Sequence, residues 1–135
     1  MKHLAKSIAL CALVSLAACR GSSPVTSYRI SESLEEVEVV SRFKGLSGLR
    51  VLDSLTERRA GFMVIQMTVR NDRRGDFLLE SQADWRDANG FVVDGTDSWE
   101  GTRIGRGETR DLTFTAGSRD AVTADISFRE RHTVN

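Results

Sequence analysis

Phe62-Met63-Val64-Ile65-Gln66-Met67-Thr68-Val69-Arg70-Asn71 is the stretch that decides the fold. Met63, Ile65, Met67 and Val69 fall on one face, and Gln66, Thr68 and Arg70 on the other. A period of two is the pattern of a strand buried on one side only. Turn-forming residues bound the stretch: Arg58-Arg59-Ala60-Gly61 before it and Asn71-Asp72-Arg73-Arg74-Gly75 after it.

The same period continues outward. Upstream, Leu34–Val40 alternates at Val37 and Val39, Phe43–Gly48 reads as a connection, and Leu49–Leu55 places Leu49, Val51 and Leu55 inward. Downstream, Phe77, Leu79, Ala83 and Trp85 share one side of Phe77–Arg86. Asp87-Ala88-Asn89-Gly90 suits a turn ending in a left-handed glycine, with the Asp87 carboxylate on the turn amides, and Phe91-Val92-Val93 returns from it. Trp99–Ile104 reads as a short edge strand. Leu112 and Phe114 point inward from Thr109–Thr115, and Val122, Ala124, Ile126 and Phe128 alternate in the last strand. About seven strands, turns every ~8–12 residues and no helical periodicity predict one antiparallel β-sandwich of immunoglobulin-like type over residues 34–130. Asn71, Trp85, Asp87 and Gly90 are its expected turn and core residues, and 131–135 its tail.

The N-terminus follows a different pattern. Lys2, His3 and Lys6 precede an apolar run from Ile8 to Leu16, then Ala17, Ala18 and Cys19, the layout of a secretory signal over residues 1–18. The run falls short of the ~20 apolar residues that cross a bilayer. Leu16-Ala17-Ala18-Cys19 resembles the bacterial lipobox. That resemblance implies cleavage between Ala18 and Cys19, a diacylglyceryl thioether on the Cys19 sulfur and acylation of the new amino group. Cys11 lies in the segment to be removed, so Cys19 has no disulfide partner. One acyl chain binds a membrane marginally, and two or three hold it stably. Arg20 in place of aspartate implies, by resemblance to lipoprotein sorting rules, the periplasmic face of the outer membrane. Residues 19–33, with the only proline at Pro24, read as lipidated N-terminus and tether. Arg20–Ser33 would span ~20 Å as a coil and ~50 Å extended.

Ala83-Asp84-Trp85-Arg86-Asp87-Ala88-Asn89-Gly90, with Val69-Arg70-Asn71, Trp99, Ile104, the alternating end Ala121–Phe128 and the lipobox, resembles the YcfL-like family of bacterial periplasmic lipoproteins. Members usually carry an aromatic residue where this chain has Ser81 or Ala83. The resemblance implies a compact periplasmic sandwich and supplies no catalytic residue.

Composition narrows the function. Of 135 residues, 40% are hydrophobic and 28% charged, which is globular. Removing Lys2 and Lys6 leaves 17 basic against 19 acidic residues, and no Lys/Arg run dominates, so a nucleic-acid partner is not expected. The histidines are His3, in the removed segment, and His132, in the tail, which excludes a Ser-His or Cys-His pair and His/Cys metal binding in the body. A Ser-Lys site would depend on Lys44, which reads more simply as a loop lysine. Asp84, Asp87, Asp94, Asp97 and Glu100 offer oxygen ligands without the density of a calcium loop, so they read as turn caps and no metal or cofactor is expected. Trp99, with Asp97 and Glu100 beside it, is the candidate partner-binding site; its alternative is a core tryptophan closing one end of the sandwich. The expectation is a non-enzymatic, membrane-tethered accessory or adaptor domain for a periplasmic protein partner in envelope assembly. The alternative is a small-ligand or glycan binder using the Asp94–Glu100 loops.

Overall fold

The computed structural model describes residues 25–33, 38–39, 46–95 and 98–131. Nine strands occur among them: β1 (Thr26–Ser31), β2 (Glu38–Val39), β3 (Leu49–Arg59), β4 (Phe62–Asn71), β5 (Phe77–Arg86), β6 (Val92–Gly95), β7 (Glu100–Ile104), β8 (Thr109–Thr115) and β9 (Thr123–Glu130). One sheet runs β2-β1-β9-β5, with β6 and β7 end to end along the far edge of β5; the other runs β3-β4-β8. All pairings are antiparallel. The all-β sandwich expected from the alternation is the fold observed.

Its core is the set of inward faces. Met63, Ile65, Met67 and Val69 of β4 meet Phe77, Leu79, Ala83 and Trp85 of β5 and Ala124, Ile126 and Phe128 of β9, all buried. Burying each large apolar side chain contributes about 1.5–3 kcal/mol, so these three strands hold the layers together. Ser81 joins this face without an aromatic ring and is buried as well.

Two expectations need correction. The tether is shorter than its composition suggests, because Thr26–Ser31 forms β1, paired with β9 over six residues. Thr26 and Ile30 point into the core, and Tyr28 packs on Phe128 at 5.8 Å, edge on. This period of two is written largely in hydroxyl-bearing residues, which hides it from a search for apolar alternation. In β3 the register shifts between Val51 and Asp53, so Leu52 is an extra residue. A one-residue bulge exchanges the two faces of everything beyond it. Leu55 therefore points outward, 59% exposed, instead of inward, and Ser54 takes the inner position opposite Met67.

At each end of the sandwich a side chain with several main-chain partners ties the sheets together. At the end where β1 begins, the near end, buried Asn71 donates from Nδ2 to the carbonyls of Gly75 (2.8 Å), Ile104 (3.0 Å) and Gly105 (3.1 Å) and accepts from the Arg73 amide at 2.9 Å. It joins β4 of one sheet to β7 of the other. At the far end Arg58 donates to the carbonyls of Gly61, Arg119 and Ala121 and pairs with Glu32. The β3–β4 turn there is the two-residue loop Ala60-Gly61, both with positive φ, which matches strand twist in a hairpin.

Candidate functional site

Trp99 lies outside the core, half-buried at the start of the β7 edge, its ring 4.1 Å from the Arg129 guanidinium carbon. Arg129 comes from β9 and is fixed in turn by Glu80 of β5 at 2.6 Å. The alternative of Trp99 as a core tryptophan is thereby corrected. Arg129 and Glu80 face away from the core in the strand alternation, and the indole follows them. Trp85 is the buried tryptophan, 2% exposed.

Glu100 is exposed and faces a different direction from Trp99. With Asp94 and Ser98 it borders a notch of about 150 Å³ whose other walls include Ser81, Trp85, Phe114 and Thr113. Among the described residues β6 and β7 do not form one continuous partner for β5: Trp85 pairs with Asp94 and Ser81 with Glu100, and no described residue pairs with Gln82 or Ala83 on that side. The gap exposes the edge of the core between the β5 and β8 sides. Asp94 is committed to structure as well, accepting from the Gly117 amide at 2.5 Å. Asp97 lies outside the described residues, as do Ala18, Cys19, Lys44 and His132.

Asp87 and Gly90 do what the turn pattern expects. The Asp87 carboxylate accepts from the amides of Asn89 and Phe91, both at 2.9 Å, and Gly90 has φ +85°. The turn lifts Phe91 and Val92 into solvent, 71% and 53% exposed.

The outer face of the larger sheet carries a charge row across three strands. Asp125 of β9 accepts from Arg29 of β1 (2.8 and 3.1 Å) and from Arg86 of β5 (3.2 Å). Asp84 sits directly opposite Asp125, a like-charge pair that the two guanidiniums offset. Burial pushes the Asp125 carboxyl up, but the hydrogen bonds and charges of Arg29 and Arg86 outweigh it and hold it below the ordinary aspartate value. Beside this row a shallow depression of about 530 Å³ is lined by Ser31, Ser33, Ala88 and Thr123 among others. Among the described residues, no three His, Cys, Asp or Glu side chains come together to hold a metal ion.

The surface that sequence reading missed is the edge of the smaller sheet. Among the described residues β3 pairs only with β4, so one long side of an eleven-residue strand has no ladder partner. The bulge places Leu52 (47% exposed) and Leu55 beside that edge. Leu55 also walls a hollow of about 280 Å³ with Val64, Gln66, Thr113, Glu57 and Arg59. The available signal was Leu52 itself: it directly follows Val51, and neighbouring residues of a regular strand cannot share one face.

Comparison with known proteins places this architecture. No curated protein matches the sequence. A crystal structure of a DUF1425 family member from a Shewanella species superposes with a TM-score of 0.54 at 21% identity, covering 79% of this chain and 97% of that one. The crystal structure of Campylobacter jejuni cj0090 superposes with a TM-score of 0.53 at 18% identity, covering 60% of this chain and 85% of that one. At these identities the likeness is one of fold. The family model described as "Protein of unknown function (DUF1425)" matches residues 38–130, from β2 to the last residue of β9, and the chain belongs to that family.

Proposed function

We propose that the protein is a non-enzymatic lipoprotein of the YcfL-like kind, anchored through Cys19 at the periplasmic face of the outer membrane. It works there as an adaptor that receives an extended segment of a periplasmic protein along β3. The observation that carries this reading is the β3 edge, unpaired among the described residues, with Leu52 and Leu55 beside it. Strand addition draws affinity from main-chain hydrogen bonds and specificity from hollows that take alternate side chains. The hollow walled by Leu55 and Val64 opens on the outer face of the same sheet, over β4, and supports such a role for a long side chain reaching in from the edge. Natural edges are commonly blunted by bulges and charges; β3 carries both, but its bulge turns Leu52 and Leu55 outward, and that exposed apolar pair supports a covering partner.

A photoreactive side chain at Leu55 in intact cells is expected to give a discrete protein adduct. The same group at Ser127, on the outer face of the other sheet, is expected to give none. Leu52→Lys should abolish the adduct while leaving the unfolding midpoint within about 0.5 kcal/mol of the parent. Equal labelling from both positions would sink the adaptor reading. The notch bordered by Asp94 and Glu100 supports a second reading, a small-ligand or glycan site over an aromatic floor. Soluble glycan fragments should then change tryptophan fluorescence, and Glu100→Ala should remove the change.

A further inference from the structure

We propose that the near end of the sandwich docks on an anionic lipid surface, an orientation that rests on the Cys19 anchor reading. Two independent features converge there. The first is reach: β1 begins at Thr26, seven residues after Cys19, so the connecting chain spans at most about 24 Å. A domain on so short a lead presents the end toward which the lead departs: Thr26 lies opposite Phe128, level with Ser81 in the middle of β5, and β1 runs from there away from the near end, so the chain before it heads toward that end.

The second feature is charge. The segments that build the near end, 46–50, 70–78, 103–110 and 130–131, contain eight arginines against four carboxylates, a surplus of four positive charges. The segments of the far end, 31–33, 57–62, 86–94 and 116–123, contain four arginines against five carboxylates, a surplus of one negative charge. The asymmetry survives ion pairing. Asp72 is shared by Arg50 and Arg70, Arg73 is held by Glu130, and Glu108 and Asp76 engage Arg110 and Arg103. Arg74 and Arg106 are exposed and, among the described residues, form no ion pair. They stand on the two neighbouring loops that Asn71 ties together, since the Gly107 amide bonds the Asn71 carbonyl at 2.9 Å. Cationic side chains beside an anionic leaflet attract it additively and in a salt-dependent manner.

The test separates this surface from the anchor. The full chain with Cys19→Ser, which cannot carry the thioether, is floated with phosphatidylcholine vesicles and with vesicles that also contain phosphatidylglycerol. Flotation is expected only with the anionic vesicles, and high salt should suppress it. Arg74→Ala with Arg106→Ala should weaken it about 25-fold, about fivefold per arginine. Arg74→Lys with Arg106→Lys should retain it, because charge and not fork geometry is read. Arg119→Ala, at the far end, should leave it unchanged. Equal flotation on both vesicle types, or flotation indifferent to the paired alanines, would overturn the docking surface. The anchor reading is judged separately, by palmitate labelling of the parent chain in cells. Labelling without lipid-dependent flotation defeats only the surface, and flotation without labelling defeats only the anchor.

Discussion

The two ends of the sandwich do the same job with opposite chemistry. At the near end a neutral amide, Asn71, is fully buried and satisfies three carbonyls across the sheets. At the far end a guanidinium, Arg58, does the tying with its side chain 34% exposed. A buried neutral clamp has no water to replace it, so its loss strands its partners; a half-exposed ionic clamp is screened by salt and replaced by solvent. The comparison teaches that the near-end closure is insulated from solution conditions and the far-end closure is responsive to them.

The largest expected effect tests that difference directly. Asn71→Ala should cost about 3 kcal/mol by urea unfolding at any ionic strength, because several buried carbonyls lose their donor. Arg58→Ala should cost about 1 kcal/mol at low salt and less at high salt. Equal, salt-independent losses would erase the distinction between the ends. A smaller contrast comes from two glycines with positive φ. At the near end Gly48 has φ +82°, and a Cβ there would lie 2.4 Å from Cγ of Arg73. Gly90, at the far end, has φ +85° with nothing within 4 Å. Gly90→Ala should therefore cost about 1 kcal/mol of backbone strain alone, and Gly48→Ala about twice that, since Arg73 must also move. Matching values would mean that the Arg73 packing is loose.

The smallest effect is in pH and belongs to neither end. Asp125 has a depressed folded-state pKa, so its contribution is present above the ordinary aspartate range and lost as pH falls through it toward the folded value. Asp125→Asn should be less stable than the parent near neutrality, and the gap should narrow below about pH 4. Thermal midpoints across that range measure it, and a gap that widened in acid would contradict the pairing with Arg29 and Arg86.

Much of this architecture was legible in the chain because β4, β5 and β9 write their inward faces in large apolar residues at a strict period. The Asp87–Gly90 turn was legible for a similar reason: local hydrogen bonding specifies it within five residues. What escaped detection depends on long-range register. Nothing near Leu52 in sequence announces that two residues of β3 oppose one of β4, yet that slip decides where Leu55 points. Trp99 reads more readily as core than as surface until Arg129, thirty residues away, is seen beneath it. β1 escaped because its inward positions include Thr26, whose burial is conferred by its neighbours and not by its own hydropathy.

The placement of β1 also has a mechanical meaning. It lies between β2 and β9, and its six-residue ladder with β9 runs along the line on which any pull from the N-terminal side would act. Antiparallel hydrogen bonds stand across that line, so tension shears all of them together instead of unzipping them one by one. Whatever tugs on this domain from its lead must break a whole seam at once, which makes the first strand a strain-resistant attachment point.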